Sequence, residues 1–239
     1  MRIIKNIFRS MFLLVMSVML LAGFTVAGQG YGLYRDAVED MSLEDKVASI
    51  RSKEGYTTLE ELPQVYLNAV VSVEDHRFYH HFGLDPIAIG RALLHDIQAR
   101  RYVEGGSTIT QQLAKNLYFT QEKELTRKAA EVFVALELEK RYSKDEILEL
   151  YVNSIYFGDG YDTAGDASRG YFGKEPEQMS EYESTLLAGI PNAPGRYAPT
   201  KSQELAEKRQ MQVLRRMEAC GYFSQEEAET VAEQMMALQ

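Results

Sequence analysis

Between Arg9 and Arg35 the chain carries no charge, so Ser10 to Tyr34 is a run of 25 uncharged residues. Its centre, Met11 to Leu21, is almost all Met, Leu, Val and Phe. An 18-residue helix over Met11–Gly28 would span about 27 Å, close to the hydrocarbon thickness of a bilayer. Arg2, Lys5 and Arg9 lie on one flank only. That asymmetry predicts a single-pass anchor with its N-terminus in the cytoplasm and the remainder exported. The competing reading is a cleaved signal peptide, with Thr25-Val26-Ala27 as the cleavage site. The sole cysteine, Cys220, lies far beyond the run, which excludes a lipoprotein. The expected division is 1–30 as basic tip and transmembrane anchor, and 31–239 as the extracytoplasmic domain.

At 239 residues with 45% hydrophobic side chains, the chain can build one good core but not two large enzymatic domains. One cysteine excludes an intramolecular disulfide and a Cys-rich metal site. Setting aside 1–30 leaves 23 basic and 35 acidic residues, a net −12. That balance argues against nucleic acid as a partner. Small anionic ligands are a separate matter, because local charge can oppose the global sign.

Helix-start signals are dense. Thr58-x-x-Glu61, Ser143-x-x-Glu146, Ser180-x-x-Glu183 and Ser224-x-x-Glu227 fit the capping box, and Thr108-x-x-Gln111 is a variant. Asp85-Pro86 reads as an N-cap followed by proline at the first helical position. Apolar residues recur at helical spacing at Ile87, Leu94 and Ile97, at Val132, Leu136 and Leu138, and at Ile147, Leu148 and Tyr151. Two terminal helices are expected at about 202–219 and 225–237, with Cys220 at a helix end before Gly221. Gly105-Gly106 and the Gly158–Gly173 stretch read as irregular. The fold class is mainly α, one domain behind a membrane tether.

Two segments carry candidate chemistry. The short apolar helix Gln64–Glu74 ends in Glu74-Asp75, where the negative end of the helix dipole and the paired acid disfavour ionisation. Such a carboxylate suits a general base, while the plain alternative is a surface acid balanced by His76 and Arg77. Gly105-Gly106-Ser107 precedes a capped helix, whose N-terminus suits a phosphate, although the Gly-Lys-Ser/Thr ending of a nucleotide loop is absent. The alternative is an ordinary helix start. Lys115, Lys123, Arg127 and Lys128 read as a basic cluster suited to an anionic group, with Glu131 on the same helical face as Arg127; the plain alternative is a solvated helix face. His76 and His80 have zinc-helix spacing but lack the His-Glu-x-x-His pattern, so a structural role is expected for the histidines. Leu113, Leu117, Tyr118 and Phe119 are expected in the core, the alternative being a surface that dips into lipid.

Taken together, these segments resemble the peptidoglycan glycosyltransferases of family 51, the polymerase domains of class A penicillin-binding proteins and their monofunctional relatives. Glu74-Asp75-His76-Arg77-Phe78 with His81 and Gly83 resembles the first signature block, and Gly105 to Asn116 the second. Arg127-Lys128-x-x-Glu131 resembles the third, and Lys144-x-x-Ile147-Leu148-Glu149-x-Tyr151-x-Asn153 the fourth. Leu187-Ala188-Gly189-Ile190-Pro191 with Pro194 resembles the fifth. The likeness covers roughly 45–200. Gly160 to Ala167 departs from the usual pattern by added acids. Lys123 stands where an arginine is common, which weakens bidentate phosphate binding.

The resemblance implies a lysozyme-like, mainly α-helical glycosyltransferase domain that polymerises lipid II on the outer face of the cytoplasmic membrane. It assigns catalytic roles to Glu74, as general base on the acceptor 4-hydroxyl, and to Glu131. Glu131 would act with Lys115, Lys123, Arg127 and Lys128 on the departing pyrophosphate. Arg77, Ser107 and Gln112 would hold sugar and phosphate groups. No cofactor is expected to be required, and a divalent cation, magnesium or manganese, is left open at Glu131. The implied partners are lipid II, the growing lipid-linked glycan, the membrane and a cell-wall transpeptidase. The Ser-x-x-Lys and Lys-Thr-Gly motifs of a transpeptidase do not occur, so a monofunctional enzyme is expected. The rival readings are a glycan-cleaving lysozyme-like enzyme and a catalytically silent membrane-anchored scaffold.

Overall fold

The computed structural model describes residues 2–99, 105–119 and 124–237. The described residues form twelve α-helices and no strand: α1 (Arg2–Asp40), α2 (Leu43–Arg51), α3 (Gln64–Glu74), α4 (Pro86–Ala99), α5 (Ile109–Tyr118), α6 (Glu124–Arg141), α7 (Lys144–Val152), α8 (Ala164–Phe172), α9 (Glu181–Gly189), α10 (Pro194–Tyr197), α11 (Gln203–Ala219) and α12 (Gln225–Ala237). The expected helix starts are formed by local chemistry. Each of Thr58, Thr108, Ser143 and Ser180 completes its capping box. Ser224 exchanges the same two bonds with Glu227. Asp85 Oδ1 accepts from the N–H groups of Ile87 and Ala88, which opens α4 behind Pro86.

The apolar N-terminal helix is longer than the 18 residues expected. It runs 39 residues without a break, about 58 Å at 1.5 Å per residue. The helix therefore passes straight through the 30/31 boundary drawn from the sequence. Its two halves differ. From Lys5 onward it is long and apolar enough to cross a membrane, and side chains from Ile7 to Phe24 stand exposed. Beyond that, Gly30, Leu33, Tyr34 and Ala37 form a helical stripe against α6. A Cβ at position 30 would collide with Ala129, so only glycine allows the two backbones to approach this closely. Tyr31 and Tyr34 then pack around Phe133, and Tyr34 Oη donates to Glu137 at 2.5 Å.

One core follows. Helix α3 packs between α9 and α11, while α5 packs on α6 and α7. Tyr66, Phe78, Phe119, Tyr151 and Phe157 are the largest side chains fully removed from water. Each such side chain contributes a few kcal/mol, on the order of 1.5–3, through burial. Leu113, Leu117 and Phe119 lie in this core, as expected, and Tyr118 packs at its edge.

The helices expected from apolar spacing form, but in α4 and α6 that spacing does not mark the core face. Ile87 and Leu94 face outward at 58% and 60% exposure, and Leu136 is also exposed. The core stripe of α6 is instead Ala130, Val134, Ala135 and Leu138. The Gly158–Gly173 stretch is only partly irregular: Thr163 caps α8, and Gly165 sits where a Cβ would strike Thr57 and the Gly55 carbonyl. That glycine serves close packing rather than a loop.

Candidate active site

Glu74 is the last residue of α3, and its neighbour Asp75 is the C-cap. The two acids have separate fates. Asp75 Oδ2 accepts from His81 Nε2 at 2.8 Å and from the Ile109 N–H at 3.1 Å. It thereby ties the end of α3 to the start of α5, and His81 is structural, as expected. Thr108 Oγ1 donates to the Gly83 carbonyl at 2.7 Å, a second stitch between the first two motifs. Glu74 instead turns into a cleft with its side chain 13% exposed. Gln112 Nε2 donates to Glu74 Oε2 at 2.8 Å, and Arg209 Nη2 stands 4.0 Å from Oε1.

Burial raises the Glu74 carboxyl above the ordinary glutamate value, with the Asp75 charge adding a little. Gln112 and Arg209 oppose that rise. The direction expected from the sequence holds, but burial leads and the paired acid comes last.

The cleft holds about 850 Å³ and is lined by Glu74, Ser107, Gln112, Lys115 and Lys128 among others. Lys128 Nζ donates to Ser107 Oγ at 2.9 Å and to Glu131 Oε2 at 2.7 Å. Glu131 is fully buried, and Arg127 bonds its other oxygen. Glu131 and Arg127 thus stand behind Lys128 and do not line the cleft. Both oxygens of Glu131 are engaged by cations, and no group of three or more His, Cys, Asp or Glu gathers among the described residues. This donor set does not fit a divalent cation at Glu131.

One expected contribution is placed elsewhere. Arg77 Nε donates to Asp85 at 2.9 Å, bracing the start of α4 outside the cleft lining. Lys123 lies outside the described residues. At the start of α5 three of the backbone donors are already engaged. The N–H groups of Thr108, Ile109 and Gln111 bond Gln111 Oε1, Asp75 and Thr108 Oγ1 respectively. The side chains of Ser107, Lys115 and Lys128 line the cleft beside this helix start.

The fourth motif acts from behind. Asn153 bonds both the N–H and the carbonyl of Thr57. Lys144 bonds Glu139 at 2.6 Å, and Glu139 also accepts from Thr110 at 2.6 Å, joining α5, α6 and α7. Pro191 of the fifth motif and Asn192 reach the cleft wall.

The sequence reading missed the opposite wall. Arg209, Gln212 and Arg216 on α11 share one helical face and line the cleft, with Arg215 and Arg91 beside them. Their i, i+3, i+7 spacing was visible, but only the packing of α11 on α3 shows which way the face points. Arg216 also donates to the Ser72 carbonyl, and His76 sits between Arg91 and Arg216. Burial, with those two cations, lowers the His76 value. The arrangement, a carboxylate of raised proton affinity among lysines and arginines, can take up a proton next to an anionic group.

Comparison with known proteins agrees. The transglycosylase family model matches residues 43–218. The chain belongs to this family, the family 51 transglycosylases. Penicillin-binding protein 1A of Aquifex aeolicus is 45% identical over 177 residues, 74% of this chain and 24% of that protein. Penicillin-binding protein 1F of Bacillus subtilis is 42% identical over 195 residues, 81% of this chain and 27% of that one. The chain therefore spans about a quarter of these two relatives. A Cupriavidus necator protein assigned as a transglycosylase is 40% identical over 183 residues, 77% of this chain and 79% of its own length.

Proposed function

We propose that this chain polymerises lipid II into β-1,4-linked peptidoglycan strands by inverting glycosyl transfer at a membrane surface. The observation that carries this reading is a buried carboxylate with a raised proton affinity, Glu74, sharing a cleft with Lys115 and Lys128. Glu74 takes the proton of the acceptor 4-hydroxyl, and that oxygen attacks C1 of the growing chain. The C1–oxygen bond to undecaprenyl pyrophosphate breaks, and the electron pair leaves with the pyrophosphate. Positioned cations at developing negative charge act most strongly where water is excluded. Lys115 and Lys128 meet that charge directly, while Glu131 and Arg127 fix Lys128 from behind. Ser107 and Gln112 contact substrate from the cleft floor.

A lysozyme-like arrangement of the extracytoplasmic domain, residues 31–239, belongs to this reading. The orientation follows from the basic N-terminal flank, with the tip in the cytoplasm and the cleft outside. The exposed Ile87, Leu94 and Leu125 suit a surface that rests on lipid, and Thr126, next to Leu125, bonds Gln29 of α1. A transpeptidase that cross-links the strands is the natural protein partner.

The test is detergent-solubilised full-length chain with labelled lipid II. Elongated glycan is the expected product. Cleavage of preformed glycan without lipid II polymerisation would replace this reading with the lysozyme-like one, and no turnover of either would favour the scaffold.

A further inference from the structure

Gln112 is not held by Glu74 alone. Its Nε2 donates to Glu74 Oε2 at 2.8 Å, and its Oε1 accepts from the Tyr151 hydroxyl at 3.2 Å. Tyr151 comes from α7, which packs on α5, and is fully buried and outside the cleft lining. We propose that Tyr151 is a positioning residue that locks the Gln112 amide with its NH2 group toward Glu74, keeping the reacting carboxylate ionised and oriented. The proposal rests on the reading of Glu74 as general base.

Hydrogen-bond polarity sets the amide's orientation. The two ends of a glutamine amide are nearly equal in size, so shape does not choose between them. Their partners do. A buried hydroxyl proton needs an acceptor, and the hydroxyl's hydrogen bond among the described residues is to Gln112 Oε1. Burial lifts the Tyr151 phenol well above its ordinary value, so the proton stays on across the working range. With the carbonyl end committed to Tyr151, the NH2 end must face Glu74. That orientation favours the carboxylate form. A flipped amide would set a carbonyl oxygen against a carboxylate oxygen, an arrangement tolerable only when Glu74 carries a proton. Orientation of Gln112 and protonation of Glu74 are therefore linked.

The same lock divides labour between the two carboxylate oxygens. Oε2 is pinned by Gln112, which leaves Oε1, on the Arg209 side, for the acceptor hydroxyl. The other groups facing Glu74 are Asp75 beside it and Arg209 from α11, and Lys115 and Lys128 share the cleft. Tyr66 is a further ionisable neighbour of Tyr151. Replacing Tyr151 by Phe removes one oxygen and leaves all of these charges in place.

The experiment uses full-length chain in detergent and follows kcat/KM for lipid II against pH in wild type, Tyr151→Phe, Gln112→Met and the double variant. A base must be unprotonated, so activity falls as pH falls through the Glu74 value. Loss of the lock raises that value, and the low-pH limb should move upward by about half to one pH unit in Tyr151→Phe. The high-pH plateau should stay near wild type. In the Gln112→Met background Tyr151→Phe should add no further movement. An unmoved limb overturns the proposal, as does a movement that persists without Gln112, which is what a merely structural tyrosine would give. If Tyr151→Phe fails to fold, Gln112→Met alone decides: an unmoved limb overturns the lock. A 13C titration of the carboxyl resonance that disappears in Glu74→Gln reads the same shift without turnover. Wild type that never polymerises lipid II would sink the functional reading, while that titration still judges the lock.

Discussion

Glu74 and Glu131 are both largely removed from water, and their surroundings differ in kind. Glu131 has Arg127 on one oxygen and Lys128 on the other. Glu74 has a neutral amide on one oxygen and a cation no closer than Arg209 at 4.0 Å on the other. A compensated buried charge holds structure, because removing it strands its partners. An uncompensated one is strained toward protonation, which is what proton transfer requires. The comparison teaches that two motif glutamates can sit in opposite surroundings; on the proposed reading one reacts and the other braces.

Variants at the two positions should therefore move stability in opposite directions. The largest effect belongs to Glu131→Ala, which leaves Arg127 and Lys128 without their counter-charge. Unfolding should become easier by about 3 kcal/mol, at the low end for a broken buried pair because Lys128 can turn to solvent. Denaturant unfolding in detergent measures it.

Lys128→Met comes next. It removes the cation that links Glu131 to the cleft, and lipid II turnover should fall by about 10²-fold, the scale for one lost donor at developing charge. Steady-state rates check this, with a small change in unfolding expected beside the large one in rate.

The smallest effect sharpens the contrast most. A carboxyl raised in the folded state contributes stability that is present below its unfolded value and lost as pH rises through the folded one. Above that window ionised Glu74 is a cost. Glu74→Gln should then be as stable as wild type or more stable, by about 1 kcal/mol or less, at pH 8. At pH 4 the advantage should vanish. Parallel melting curves at the two values read the sign.

Much of the fold was legible because its signals are local. A capping box needs only residues three apart, and every box read from the sequence formed. The α3 span ends at Glu74 as expected, and Cys220 caps α11 before Gly221. What escaped depends on distant contacts. Gly165 looked like loop chemistry because its neighbour, Thr57, is more than a hundred positions away. Ile87 and Leu94 have the right period for a core face but turn outward. Within the site, Glu74, Ser107, Gln112, Lys115 and Lys128 were identified from motifs and do converge. Arg77 shares a motif with Glu74, yet Asp85 holds it outside the cleft lining. Arg209 was missed because nothing within α11 points to a residue 135 positions earlier.

The most direct test of the account is the rate of lipid II polymerisation by Glu74→Gln against wild type, in full-length chain at the same detergent and pH. Glutamine keeps the size and the contact with Gln112 but cannot take the acceptor's proton. The account predicts a folded protein whose rate falls by about 10²- to 10⁴-fold. A folded Glu74→Gln variant that polymerises lipid II as fast as wild type would contradict it.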